Sequence, residues 1–189
     1  DFDINDLGFL QRNNEYRLRS SVQLIQSELD FARDNLLDVR AFVQNNVTDD
    51  LFTGGGLFIT DRLTFRNLSR VLLRASYLPP QYDDLNSFGN GAYRTEEWTE
   101  FNARWDSDPT QPFAFGLGGG FREELQEGET LLAEGGFSFR PVDNFTAQLE
   151  LKWQDRGGWL LHQRRDLMAT FDAEQLQAVF SLKIGRAHV

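Results

Sequence analysis

Apolar and polar residues alternate along most of the chain after Tyr16, and a period of two is the pattern of β-strands with two unlike faces. From Phe145 to Gln154, for example, every second residue is apolar and each residue between is polar. The spacing of three and four that a helix requires is not found. Segments of this kind recur about nine times, although Gly54–Gly56 interrupt one of them and Phe42 breaks the alternation of another. Short connections make nearly all of these strands antiparallel neighbours.

The connections between the predicted strands alternate in length. Short turns are predicted at residues 30–35, 65–67, 107–112 and 141–144, and longer or more acidic loops at 45–50, 78–93, 123–129 and 155–171. Outer-membrane barrels have this asymmetry, and strands of about 10 residues with aromatic ends match the thickness of a bilayer. We therefore expect an all-β, antiparallel, up-and-down transmembrane β-barrel. A soluble β-sandwich or lipocalin-like barrel would alternate in the same way, with its apolar face turned inward.

The composition restricts the class further. The chain has 189 residues, a formal charge of −10, mean hydropathy of −0.47, 17 phenylalanines and no cysteine. An acidic chain is a poor partner for nucleic acid, because phosphate contacts need clustered lysine and arginine. No apolar run approaches the roughly 20 residues of a spanning helix. The lack of cysteine fits an oxidising compartment, and we expect the cell outer membrane.

Alternation assigns side chains to two faces, and charge decides which face meets lipid. Arginine facing lipid at mid-bilayer costs about 2–4 kcal/mol, so the polar face is expected to line a wet lumen. The predicted lumen-facing residues are Arg17, Arg19, Arg40, Arg70, Arg74, Arg104, Arg122, Arg140, Glu134 and Glu150. The predicted lipid-facing residues are Phe113, Phe115, Phe137, Phe139, Leu149, Leu151 and Trp153. These arginines either pair with wall carboxylates or give the lumen a preference for anionic solutes.

No catalytic residues, cofactor site or metal site are predicted. The glycine-rich stretch Gly116–Gly120 lacks the lysine of a phosphate loop and lies within a strand pattern, so it indicates close approach of a neighbouring group. Paired carboxylates such as Asp83–Asp84 and Glu123–Glu124 are read as solvated loop charge. Their spacing forms no known calcium loop.

Several stretches resemble one bacterial family of unknown function. They are DFDINDLGFLQRNN at the start, RNL at 66–68, YDD at 82–84, RPVDNF at 140–145 and WLLHQRRDLMATFDAEQLQAVFSL at 159–182. The resemblance implies the C-terminal outer-membrane β-barrel that follows a domain similar to carbohydrate-binding module family 9. After YDD the family has Arg-Gly-Gly-Pro, whereas this chain continues LNSFGNGAYR. The family supplies no catalytic residues.

Both ends affect the expected extent of the domain. The chain starts without Met, and Lys183–Val189 contains IGRAHV, which is also the translation of a common sequencing adapter. We expect residues 1–182 to be a partial barrel, an open curved sheet of about nine strands, and residues 183–189 to be a non-native scar. The missing partners would be the carbohydrate-binding-like domain and the remaining strands.

The sequence thus favours a non-enzymatic outer-membrane barrel for solute or carbohydrate uptake or surface binding. Its expected partners are outer-membrane lipid and a carbohydrate or anionic solute. The alternative is a soluble β-rich carbohydrate-binding domain or a glycosidase, for which two positioned carboxylates would be needed.

Overall fold

The computed structural model describes residues 14–84, 91–124, 128–164 and 167–185, and the opening DFDINDLGFLQRN lies outside these ranges. Eleven strands occupy the described residues. They are β1 (Glu15–Ser27), β2 (Ala32–Asn46), β3 (Leu51–Phe65), β4 (Arg70–Leu78), β5 (Gln81–Asp83), β6 (Tyr93–Thr95), β7 (Trp98–Asp106), β8 (Phe113–Glu123), β9 (Glu129–Val142), β10 (Phe145–Arg164) and β11 (Leu167–Ile184).

Nine of these strands form one antiparallel sheet in the order β1-β2-β3-β4-β7-β8-β9-β10-β11. Apart from the insertion of β5 and β6, each strand pairs with its neighbour in sequence, as in a meander. The strands at the two edges, β1 and β11, do not pair with each other within the described ranges. The predicted all-β fold and open antiparallel sheet are confirmed, and the main sheet has nine strands as expected, with β5 and β6 as two further short strands.

The strand that the glycines interrupt is present as β3, and it pairs with β2 along most of its length. Before Leu57, the other edge of β3 has no partner in β4, and there Gly55 N–H donates a hydrogen bond to Gln81 Oε1 at 3.1 Å. Gln81 begins β5, which pairs with β6 in a small second sheet. The long loop predicted at 78–93 therefore contains secondary structure that the sequence pattern did not reveal.

The prediction of a long loop at 155–171 is wrong. The strands β10 and β11 extend through this segment and leave only residues 165 and 166 between them. The pairing shifts register between Arg156 and Trp159, where Gly158 has a φ of 70° and its N–H donates to Asp172 Oδ1 at 3.0 Å. Glycine is favoured at such a β-bulge because it takes positive φ without strain, so the glycine pair marks a bulge and not a turn.

No dry core lies between two layers in the described part of the chain. Ala32 is its only buried apolar side chain, and no large side chain there is fully buried. Most of the exposed large apolar residues of the strands lie instead on one face of the sheet. Examples are Leu18, Val22, Leu73, Phe101, Phe113, Phe115, Leu117, Phe137, Leu149, Leu151, Leu176 and Phe180. Among the described residues, no helix is long and apolar enough to cross a membrane.

Candidate functional site

The register of the strands places all of the predicted face residues on two opposite faces. Residues paired directly across neighbouring strands share a face, and successive residues of a strand alternate between faces. The charged face carries Arg17, Arg19, Arg40, Arg70, Arg74, Arg104, Arg122, Arg140, Glu134 and Glu150. The apolar face carries Phe113, Phe115, Phe137, Phe139, Leu149, Leu151 and Trp153.

An ion-pair cluster lies at the centre of the charged face. The Arg104 guanidinium on β7 contacts Asp106 Oδ1 on the same strand at 2.9 Å through Nη2. Its Nη1 contacts Glu134 Oε1 on β9 at 2.9 Å, so the side chain reaches across β8. Each of the three side chains is about one-third exposed, so the pairs are partly screened by water. The positive charge of Arg104 is matched locally by two carboxylates.

Glycines on β8 make room for this cluster. Gly116 and Gly118 face the charged side of the sheet, opposite Asp106 and Arg104 of β7. A Cβ at Gly118 would lie 2.8 Å from Glu134 Oε1 and 3.1 Å from the Ala103 carbonyl oxygen. A Cβ at Gly116 would overlap Asp106. The interpretation of this glycine stretch as a place of close approach is confirmed, and the approaching groups are side chains of β7 and β9.

A second polar group on the charged face involves β1 and β2. Arg40 Nε contacts Asp38 Oδ1 at 2.6 Å, and Gln23 on β1 donates to Asp38 Oδ2 at 2.6 Å. The guanidinium of Arg17 lies 4.4 Å from the ring centroid of Phe42. Phe42 broke the sequence alternation because it is an aromatic residue on the charged face, where it supports a cation.

The arginines of the charged face therefore fall into two sets. Arg40, Arg104 and Arg122 contact carboxylates, although the Arg122–Glu124 distance is 4.0 Å. Within the described ranges no carboxylate contacts the remaining members. These are Arg17, Arg19, Arg70, Arg74 and Arg140. The predicted wall carboxylate Glu150 likewise has no ion pair there, whereas Asp38 and Glu134 do.

Sequence reasoning missed two arginines on this face. Arg156 was assigned to a loop, but it belongs to β10 and its Nε lies 3.0 Å from Glu124 Oε1. Arg62 lies on β3 opposite Leu36 and Leu72. Alternation ends at Trp153, because Gln154, Asp155 and Arg156 are all polar and a glycine pair follows, so the sequence pattern gave no signal for Arg156.

Four depressions open on the charged face. Their volumes are about 670, 300, 250 and 220 Å³, and a separate cavity of about 340 Å³ lies beside the acidic residues Glu96 and Glu123. No three acidic or histidine side chains of the described residues are arranged to hold a metal ion.

The strand order and the two faces define the class of the protein. It is an all-β protein built on one large, open antiparallel sheet with a charged face and an exposed apolar face. The chain belongs to the family described as a domain of unknown function (DUF5916), whose sequence profile matches residues 1–183. The expected membership of a family of unknown function is thereby confirmed. No curated protein and no solved structure matches the chain.

Proposed function

We propose that this sheet is part of the wall of an outer-membrane β-barrel whose charged face lines a water-filled lumen and whose apolar face meets lipid. In this proposal the protein is not an enzyme, and its role is to pass or bind solutes. The observation that carries the proposal is the separation of charge from exposed apolar surface on opposite faces of a single sheet.

The dimensions of the apolar face support a bilayer. On β10 the residues of this face are apolar from Phe145 to Trp153, and Asp155 follows. This span of nine residues is close to the roughly 9–11 residues of a tilted transmembrane strand. Two side-chain hydrogen bonds lie on the apolar face, one of them to Asp61, which stands between Ile59 and Leu63 on β3, and the other beyond the apolar span of β10. Asn35 donates to Asp61 at 2.5 Å near the short turns, and Trp153 Nε1 donates to Glu174 at 2.8 Å toward the other end.

The exposure of the apolar face disfavours a soluble sandwich. Phe113 is 59% exposed and Leu117 is 62% exposed, and both lie in a continuous row with aromatic neighbours. Monomeric soluble proteins seldom expose apolar patches beyond a few hundred Å². Lipid would cover this surface without any second layer of protein.

The two open edges require partners in this proposal. Unpaired backbone N–H and C=O groups cost several kcal/mol each in lipid, so membrane sheets close into barrels. We propose that further strands cover β1 and β11, and that a carbohydrate-binding-like domain accompanies the barrel. The solute would then be a carbohydrate or an anion.

Membrane fractionation tests the proposal. Expressed in Gram-negative cells with a secretion signal, the protein is expected in the outer-membrane fraction. It should resist extraction by alkaline carbonate and be released by detergent, because its apolar face would otherwise meet water. Recovery as a monodisperse protein in detergent-free buffer would support the soluble carbohydrate-binding alternative instead.

A further inference from the structure

The largest depression of the charged face spans β1 to β4 and has a volume of about 670 Å³. This size lies within the roughly 300–1,000 Å³ of small-molecule sites. We call it the basic depression, and its charged and aromatic lining residues are Arg17, Arg19, Asp38, Arg40, Phe42, Phe58 and Arg74. Serine and threonine residues supply further hydroxyl groups.

Charge is strongly unbalanced in the basic depression. Four guanidinium groups face one carboxylate, which leaves an excess of three positive charges. The single carboxylate, Asp38, is already bonded to Arg40 and to Gln23. Arg19 and Arg74 have no carboxylate contact in the described part of the chain. Their guanidinium donors are free to bind an anion, and guanidinium binds carboxylate or phosphate through two parallel hydrogen bonds.

The basic depression also has an apolar floor. The rings of Phe42 on β2 and Phe58 on β3 stack with centroids 5.9 Å apart and planes inclined by 14°. Phenylalanine is unusual on this face, since most of the residues around it are polar or charged. An inorganic ion would use only the guanidinium groups, whereas a ligand with an apolar ring would also contact these two side chains.

We propose that the basic depression binds a small organic anion with a flat apolar ring, of the aromatic carboxylate class. Arg74, two residues from the Ser76 that pairs with Phe58, holds the carboxylate, and Phe42 and Phe58 contact the ring. Arg19, at the other end of the Phe42–Phe58 pair, adds to the positive potential of the depression. Arg40 keeps Asp38 neutralised, so that the carboxylate of the protein does not repel the ligand. The inference rests on the proposed function for the route by which a solute reaches this face, but the site itself depends only on the folded sheet.

The test is binding of 4-fluorobenzoate to the purified protein, followed by ¹⁹F NMR line broadening. Saturable binding is expected, and the neutral isostere 4-fluorobenzamide should bind at least about tenfold more weakly because it lacks the charge. The double variant Arg19→Gln/Arg74→Gln should weaken 4-fluorobenzoate binding by about tenfold or more. Neither substitution breaks an ion pair, so the sheet should remain folded. Circular dichroism of the variant checks that the strand content is unchanged.

The matched control is Arg62→Gln. Arg62 lies on the charged face but outside the basic depression. Its binding of 4-fluorobenzoate should equal that of the wild type. Equal binding of the acid and the amide, no saturable binding, or equal loss in Arg62→Gln would overturn the inference. Inorganic phosphate that displaces 4-fluorobenzoate at equal concentration would overturn the role of the aromatic floor.

Fractionation and binding are measured separately, so failure of one claim is distinguishable from failure of the other. If the protein is soluble, the same titration is run in buffer without detergent. Binding there would retain the site while the membrane proposal fails.

Discussion

Replacing Leu149 by arginine is expected to destabilise the folded protein in a lipid bilayer by about 2–4 kcal/mol. Leu149 lies on the apolar face at the middle of the apolar span of β10, level with Phe137 of β9 and Phe180 of β11. In the proposed wall its side chain meets lipid near mid-bilayer, where a guanidinium has no water. Reversible urea unfolding in lipid vesicles measures the free energy of unfolding.

The matched control is Gln148→Arg, one residue earlier in the same strand. Gln148 lies on the charged face beside Ser138 and Ser181, two residues from Glu150. Arginine there should change the free energy of unfolding by no more than about 0.5 kcal/mol, as is usual for exposed polar positions. Equal effects at positions 148 and 149 would show that neither face meets lipid.

The second large effect is expected for Gly118→Ala. The new Cβ would lie within about 3 Å of the Glu134 carboxylate and of the Ala103 carbonyl oxygen. The Glu134 side chain would have to move away from Arg104, and the backbone oxygen cannot move without shifting β7. Overpacking of this kind costs about 1–3 kcal/mol. The same urea titration measures it.

Gly135→Ala is the comparison for this substitution. Gly135 lies on β9 next to Glu134, on the apolar face, and its nearest non-neighbouring atom would be Leu117 Cδ2 at 3.7 Å. Alanine there makes an ordinary contact and removes the entropic cost of a glycine in a strand, so stability should stay equal or rise by up to about 1 kcal/mol. A larger loss at 135 than at 118 would contradict the described packing around Arg104.

The alternation of residues was sufficient to predict the nine strands of the main sheet and, over most of their length, which side chains share a face. A period of two fixes which side chains share a face within one strand, and short turns fix which strands are neighbours. Gly157 and Gly158 led to the wrong prediction of a loop, because glycines occur in both turns and bulges. The small sheet of β5 and β6 was missed because three-residue strands are too short to show a period.

The ion pairs were harder to predict than the faces. The contact between Arg104 and Glu134 joins residues on strands that are not adjacent, and it depends on the glycines of the strand between them. Sequence reasoning placed both residues on the same face but left open whether the arginines are paired. The structure divides them, because Arg104 lies between two carboxylates whereas Arg74 contacts none in the described ranges. Arg74, and not Arg104, is therefore the residue to substitute in tests of anion preference.

The environments of two adjacent residues can be compared by the labelling rates of single introduced cysteines, because the chain contains no cysteine of its own. Phe137 and Ser138 are consecutive on β9, with Phe137 on the apolar face and Ser138 on the charged face. In intact outer membranes, a charged water-soluble maleimide should label Ser138→Cys at least about tenfold faster than Phe137→Cys, because only a hydrated thiol forms the reactive thiolate. After denaturation in detergent both variants should label equally. Faster labelling of Phe137→Cys, or equal labelling of both in intact membranes, would contradict a wall with lipid on one side and water on the other.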